Sequence, residues 1–246
     1  MDADRAHQPP YVRIGSAEEI AGALSTLGQD RNRAVLVCVG GASGLAGEHR
    51  ALLDDLLRTT LLPLLQQLGA AVVDGGTDAG LMQALGRARA AVAPDLALLG
   101  VAAEGTVAAP AGEDTSPQAV HLEPAHTAAV LVPGQEWGQE SPWLAELATT
   151  LAGDRCSLTL VVNGGDITLS DIEHSLARRR PVLVLQGSGR TADLVAVARR
   201  AKATDERIAA IAASPLLKVV AIDDAPALRA AVLDALQPPP ASPASP

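Results

Sequence analysis

Four times along this chain a run of apolar residues stops at glycine. Ala34–Val39 ends in Gly40-Gly41-Ala42, and Ala70–Val73 ends in Asp74-Gly75-Gly76-Thr77. Ser157–Val162 ends in Asn163-Gly164-Gly165, and Pro181–Leu185 leads through Gln186 into Gly187-Ser188-Gly189-Arg190. Each run is continuous rather than alternating, the pattern of a strand buried on both faces. A helical pattern follows each turn. Runs at Tyr11–Ile14, Leu96–Val101, His126–Val132 and Leu216–Ile222 extend the series. Strands alternating with helices specify an α/β fold: a Rossmann-like, doubly wound, mainly parallel sheet with helices on both faces. In such a sheet the four glycine turns share the carboxyl edge, where ligands bind. One such turn is equally a tight strand-to-helix connection with no ligand; four together favour a phosphate-lined cleft.

The stretch Val72–Gly86 shows the unit in full. Gly75 and Gly76 suit positive φ and close approach of a ligand to the backbone. Thr77 or Asp78 is expected to cap the helix that carries Leu81, Met82 and Leu85. A helix start at a strand's carboxyl end offers free N–H groups to an anion. Elsewhere, Ser16-Ala-Glu-Glu19 has capping-box spacing ahead of a helix with Ile20, Leu24 and Leu27, which Gly28 ends. Gly47–Leu68 reads as one long helix that Pro63 kinks or divides, closed by Gly69. Pro142–Leu151 and Pro226–Leu236 read as helices with proline in the first turn. Glu104–Ala125 is long for a connection and rich in Pro, Gly, Glu and Ser, so a functional or disordered loop is expected. Residues 1–10 read as a disordered arm, 11–236 as a single domain, and 237–246 as a disordered Pro/Ala/Ser tail.

Composition removes several classes of function. The chain has 246 residues, a net charge of −9 and only three aromatic residues, Tyr11, Trp137 and Trp143. The stacking faces that single-stranded nucleic acid needs are missing, and the one basic run is Arg178-Arg179-Arg180, so no nucleic-acid partner is expected. No apolar stretch is long enough to span a bilayer, so no membrane insertion is expected and a cytoplasmic location is. Cys38 and Cys156 fall in apolar runs and read as buried thiols. No histidine spacing suggests a metal. Neither a G-x-S-x-G elbow nor a Walker lysine is present.

Arg190 is the strongest candidate cation. It follows Gly-Ser-Gly directly at a helix start, where its guanidinium can pair with a phosphate bidentately. Asp193 reads as a helix-dipole residue or a ligand. The acids near the expected cleft are Asp74, Asp78, Asp166, Asp171 and Glu173. A pair of them suits general acid–base work, ribose hydroxyls or helix capping, with capping the first reading for Asp78 and Asp171. His126, at the start of a strand, reads as structural. His49 and His174 read as helix-surface residues.

These motifs carry a resemblance. Val39-Gly-Gly-Ala42, Asp74-Gly-Gly-Thr-Asp-Ala-Gly-Leu-Met82, Leu122-Glu-Pro-Ala-His126, Trp137-Gly-Gln-Glu140, Asn163-Gly-Gly165 and Gly187-Ser-Gly-Arg-Thr-Ala-Asp-Leu194 stand in the order seen in the SLOG superfamily. Within it, the chain resembles prokaryotic relatives of the amino-terminal region of TRPM-type channels. The resemblance implies a nucleotide sensor that binds ADP-ribose or a related NAD-derived nucleotide and requires no further cofactor. It implies ligand contacts at Gly40, Gly41, Ala42, Gly75, Gly76, Thr77, Gly80, Gly164, Gly165, Gly187, Ser188 and Gly189. Arg190 would lie on the phosphates and Trp137 would pack on the ligand. A separate effector protein and homo-oligomerisation are compatible with this reading. Trp137 stands where the channel domains usually have Tyr, and apolar residues such as Leu144 stand where some have Arg. More distantly, the chain is similar to LOG-type phosphoribohydrolases, with Asp171 where they carry a catalytic Glu. Asn163 stands for Pro and Ile167 for Gly in their block, and no clear match to their catalytic Arg is seen. This alternative implies N-glycosidic hydrolysis of a nucleotide, with Asp171 or Glu173 as the acid or base.

Overall fold

The computed structural model describes residues 8–41, 47–108, 119–201 and 204–237. The expected terminal arm and tail fall largely outside these residues, as does Ala42. The apolar runs form eight strands: β1 (Tyr11–Arg13), β2 (Val35–Gly41), β3 (Ala71–Asp74), β4 (Ala97–Ala103), β5 (Ala128–Val132), β6 (Ser157–Asn163), β7 (Val182–Gln186) and β8 (Leu217–Ala221). They make one sheet of order β1-β5-β4-β3-β2-β6-β7-β8, and every pair is parallel rather than mostly so. The helices are α1 (Ile20–Thr26), α2 (Gly47–Leu56), α3 (Leu62–Gln67), α4 (Gly80–Val92), α5 (Ser141–Ala152), α6 (Asp166–Ala177), α7 (Arg190–Ala198), α8 (Glu206–Ala213) and α9 (Ala225–Leu236).

The central strand β2 shows how the core is divided. Val35, Val37 and Val39 face a layer built with Leu24, Leu147, Ile172 and Val195 from α1, α5, α6 and α7. Leu36 and Cys38 face Leu53, Leu65, Leu85 and Val232 from α2, α3, α4 and α9. Both faces are covered because strand side chains alternate while a parallel sheet needs helices on each side. With no Phe in the chain, both layers are packed from Leu, Val, Ile and Ala.

Several local expectations are corrected. Ser16 makes no side-chain cap; residues Ala17–Glu19 form a 3-10 turn, and Glu19 reaches back to the Gly15 N–H instead. The Gly47–Leu68 helix, by contrast, is divided as expected, by a π-helical turn at Leu57–Leu61. Pro63 explains it, since its ring crowds the carbonyl four residues back, at Thr59, and it has no N–H to donate. Neither Thr77 nor Asp78 caps α4, whose N-cap is Ala79 with no side-chain bond. Their backbone is engaged elsewhere: Asp78 N–H donates to the His121 carbonyl, and Thr77 bridges Leu122 in antiparallel fashion. The Asp78 carboxylate accepts from Gln83 (2.9 Å). Asp171 is not a cap either, because it lies in the middle of α6. Cys38 is buried, but Cys156 precedes β6 and is only half-buried. α8 is a separate helix with no counterpart among the elements expected from the sequence; Asp205 caps it through the Ile208 N–H.

Both ends of the Glu104–Ala125 connection are built into the fold. Glu104–Thr106 is a 3-10 turn, Val107 pairs with Val120, and Leu122 and Glu123 are buried. The intervening residues 109–118 lie outside the described ones.

The turn after β3 is fitted against β4. A Cβ on Gly76 would lie 2.7 Å from the Gly100 Cα, and one on Gly100 would lie 2.4 Å from the Gly76 Cα. Gly22, inside α1, has open space instead. We expect Gly100→Ala to cost about 2–3 kcal/mol by overpacking, whereas Gly22→Ala stabilises by about 0.5–1 kcal/mol through helix propensity. Urea unfolding of the two variants checks this contrast.

Candidate functional site

The order of strands reverses at the β2–β6 pair: the chain adds β3, β4 and β5 on one side of β2, then returns to lay β6 on the other. The turns leaving these two strands diverge, which opens a crevice at the carboxyl edge. A cavity of about 460 Å³ lies there, within the range of roughly 300–1,000 Å³ usual for small-molecule sites.

Of the residues singled out in the sequence, Gly40, Gly41, Gly75, Thr77, Trp137, Gly164, Gly165, Asp166, Asp171 and Arg190 line this cavity. Gly40 and Gly41 sit in register with Val162 and Asn163. Gly40 has φ 129°, and a Cβ there would fall 1.8 Å from the Val162 carbonyl oxygen, so only glycine lets the two strands end side by side. Gly164, at φ 95°, is closed over by Thr168. Thr168 Oγ1 accepts from the Gly165 N–H (3.2 Å) and so fixes the start of α6.

Arg190 begins α7 with a left-handed backbone, φ 44°. That conformation is costly for a non-glycine residue and is retained where the surroundings impose it. The turn before it is firmly braced. Ser188 Oγ donates to the Leu185 carbonyl (2.6 Å) and accepts from the Asn163 N–H (2.8 Å). The Asp193 carboxylate accepts from the Gly187 N–H (2.6 Å), and Thr191 Oγ1 donates to the Gly165 carbonyl (3.2 Å). Gly187, Ser188 and Gly189 therefore shape and hold the turn but do not line the cavity. The Arg190 side chain lies over Gly165, where an added Cβ would come within 3.1 Å of a guanidinium nitrogen. It makes no ion pair or hydrogen bond among the described residues.

Gly76 and Gly80 also lie off the cavity, the first against Gly100 and the second in a neighbouring groove. Glu173 points away from it. Its carboxylate is paired with Arg207 at 2.6 Å, and that pairing holds it below the ordinary carboxylate range. Asp171 is placed differently. Burial pushes its carboxyl up to about 7; the Ser141 hydroxyl opposes the rise and the charge of Glu140 adds to it. Burial likewise raises Glu140, against the stabilising N–H groups of its own residue and Gly138. Glu140 accepts from the Gly138 N–H at 2.9 Å.

Glu140 escaped the sequence reading as an individual residue. An acid just before a helix reads as a partner of the helix dipole, and nothing in its neighbours announces the nearby Asp171. Cys38, Met82, Ala102, Thr106, Leu144 and Ile167 complete much of the apolar wall. Burial, with the nearby Asp74 charge, raises the Cys38 thiol far above its ordinary value, so it contributes to the wall as a neutral group. Thr77 Oγ1 is fully buried on the cavity wall with no partner among the described residues. Trp137 stands half-exposed at the mouth.

Behind the wall, a buried ionic network holds the β3 turn. His126 Nε2 lies 2.8 Å from Asp74 Oδ1, and His126 Nδ1 lies 2.8 Å from Glu123 Oε2. Asp74 Oδ1 also accepts from the Gly76 N–H (2.8 Å). Glu123 rests against α4 at Gly86, where a Cβ would sit 2.0 Å from its carboxylate. Burial alone would lower the His126 pKa, but Asp74 and Glu123 together outweigh it and raise it to about 9. The histidine reads as structural here too, since it faces the two carboxylates and not the cavity. Among the described residues no cluster of three or more His, Cys, Asp or Glu is placed to hold a metal ion, and no helix is long and apolar enough to cross a membrane.

The His126 network makes a pH-dependent contribution to stability. A folded pKa of about 9 against about 6.5 unfolded contributes on the order of 3 kcal/mol. The contribution is complete below pH 6.5 and is lost as pH rises through 9. We expect urea unfolding to show falling stability from pH 7 to 10, with the slope reduced in His126→Gln.

No curated protein matches the chain. A family model does: the one described as SLOG in TRPM, prokaryote, matches residues 33–231, from just before β2 into α9 and so across the whole cavity. The chain belongs to this prokaryotic SLOG-in-TRPM family.

Proposed function

We propose that the chain is a ligand sensor that binds a phosphate-bearing nucleotide of the ADP-ribose kind. The observation that carries the reading is Arg190, a cation without a protein partner among the described residues, held on left-handed backbone over Gly165 at the edge of the crevice. A guanidinium in that position is matched to phosphate oxygens. In this reading the phosphates lie along Gly40–Gly41 and Gly164–Gly165 beside Arg190. The ribose hydroxyls meet Asp171 and Glu140, which line the same cavity, and Trp137 packs on a ring at the mouth. Thr77 Oγ1 supplies a further polar contact. The signal passes to a separate effector, and no additional cofactor is invoked.

One observation favours a second reading, N-glycosidic hydrolysis. Asp171 has a carboxyl pushed to about 7, close to the operating pH at which general acid–base catalysis is efficient. Glu173, tied to Arg207 outside the cavity, takes no part in it.

Calorimetric titration with ADP-ribose, followed by chromatography of the mixture, separates the two readings. Binding with the ligand intact supports the sensor; released free base makes the chain a hydrolase. We expect Arg190→Ala to weaken ADP-ribose by about 1.5–3 kcal/mol, the worth of hydrogen bonds to charged groups. Unchanged affinity removes Arg190 from the site. We also expect affinity to fall by about 1 kcal/mol as pH rises through 7, because ionised Asp171 repels the ligand's negative charge. Titrations of Asp171→Asn at the same pH values should show no such fall.

A further inference from the structure

A second, smaller cavity of about 180 Å³ lies between α2 and α4. Arg50 on α2, Arg58 in the π-helical turn and Arg87 on α4 converge on it, with Asp54 as its one acid among the described residues. The spacing explains the convergence. Arg50, Asp54 and Arg58 are four residues apart and share one helical stripe, and Gln83 and Arg87 form a matching stripe on α4.

Many of the chain's arginines are engaged, Arg50 among them. Arg13, Arg178 and Arg207 pair with carboxylates, while Arg89, Arg180 and Arg199 donate to carbonyls. Arg58 and Arg87 make no hydrogen bond or ion pair among the described residues. The guanidiniums of Arg58 and Arg87 beside the one carboxylate of Asp54 leave a local positive excess among the described residues, in a chain whose net charge is −9, and such a concave field attracts anions. At about 180 Å³ the cavity falls below the roughly 300–1,000 Å³ of ordinary small-molecule sites, so it is sized for an oxyanion and not for a nucleoside.

We propose that this groove is a second anion site, one that takes a small polyvalent oxyanion such as phosphate or pyrophosphate, either free or as the terminal group of a larger phosphorylated molecule. It does not depend on the nucleotide reading of the main cavity. The first turns of α4 separate the two: Gly80, Gln83 and Ala84 face the groove, and Met82 faces the cavity.

The test is calorimetric titration of the full chain with inorganic pyrophosphate at low ionic strength, since exposed charges are screened by salt. The parent, the Arg58→Gln/Arg87→Gln double variant and Arg190→Ala are compared. We expect saturable binding that survives in Arg190→Ala and weakens by about tenfold for each groove arginine removed. Absence of saturable binding in the parent, unchanged binding in the double variant, or complete loss in Arg190→Ala would each overturn the proposal. A nucleoside diphosphate titrated into Arg190→Ala distinguishes the sources: binding there identifies a displayed terminal group, and binding of pyrophosphate alone identifies the free anion. Should the double variant unfold early, phenylglyoxal modification of the parent decides the matter. Pyrophosphate must protect Arg58 and Arg87, and lack of protection refutes the site.

Discussion

The pairing of β2 with β6 is the contact on which the rest of the molecule depends. It joins the two halves of the sheet and brings together the two strand ends from which the crevice is built. The pairing extends to Gly41 and Asn163 only because Gly40 carries no side chain above the Val162 carbonyl. Hydrogen bonding along the ladder therefore continues to the point where the backbone turns at the rim of the crevice. A residue with a Cβ at that position would push the strands apart, separating the Gly164–Gly165 turn from the Gly40–Gly41 turn. The architecture of the site is thus a consequence of backbone pairing before any side chain is considered.

The cavity that results is lined by groups of both charge types. Arg190 lies over Gly165. Asp171 and Glu140, both half-buried, also line it and are close enough for the charge of Glu140 to raise the pKa of Asp171. Burial disfavours two adjacent carboxylates, so near neutral pH this pair holds a proton that it can share or donate. The arrangement distinguishes the ends of a ligand: an anionic group is favoured beside the arginine, and a neutral hydrogen-bonding group beside the acids.

How much of this was legible in the sequence follows from how local each feature is. The six inner strands were readable because burial on both faces leaves an uninterrupted apolar run, whereas the edge strands β1 and β8 are only half-buried. The position of Arg190 was readable because it depends only on the glycines before it and the helix after it. The helix starts at Ser16 and Thr77 were misread because capping competes with tertiary pairing, and the Thr77–Asp78 backbone pairs with residues 121–122, distant in sequence. Asp171 and Glu173 illustrate the same limit on one helix. Two residues apart, they point in different directions, and the partner that removes Glu173, Arg207, comes from α8. Glu140 was hidden because its significance comes from its nearness to Asp171, which belongs to a different helix. The family resemblance carried the order of the glycine turns but not their division of labour: some line the cavity, whereas Gly187 and Gly189 form a braced hinge beneath Arg190.

The contact between Gly76 and Gly100 has a consequence for how this sequence can change over time. Each glycine occupies the space that a methyl group on the other would need, and the approach is backbone against backbone. No rotamer adjustment can relieve the clash, and enlarging one position gives no advantage to enlarging the other. A single substitution at either place must shift β3 against β4 and disturb Asp74, which holds His126. The two positions therefore behave as one heritable unit: the route to any other pair of residues begins with a destabilised intermediate, whichever position changes first.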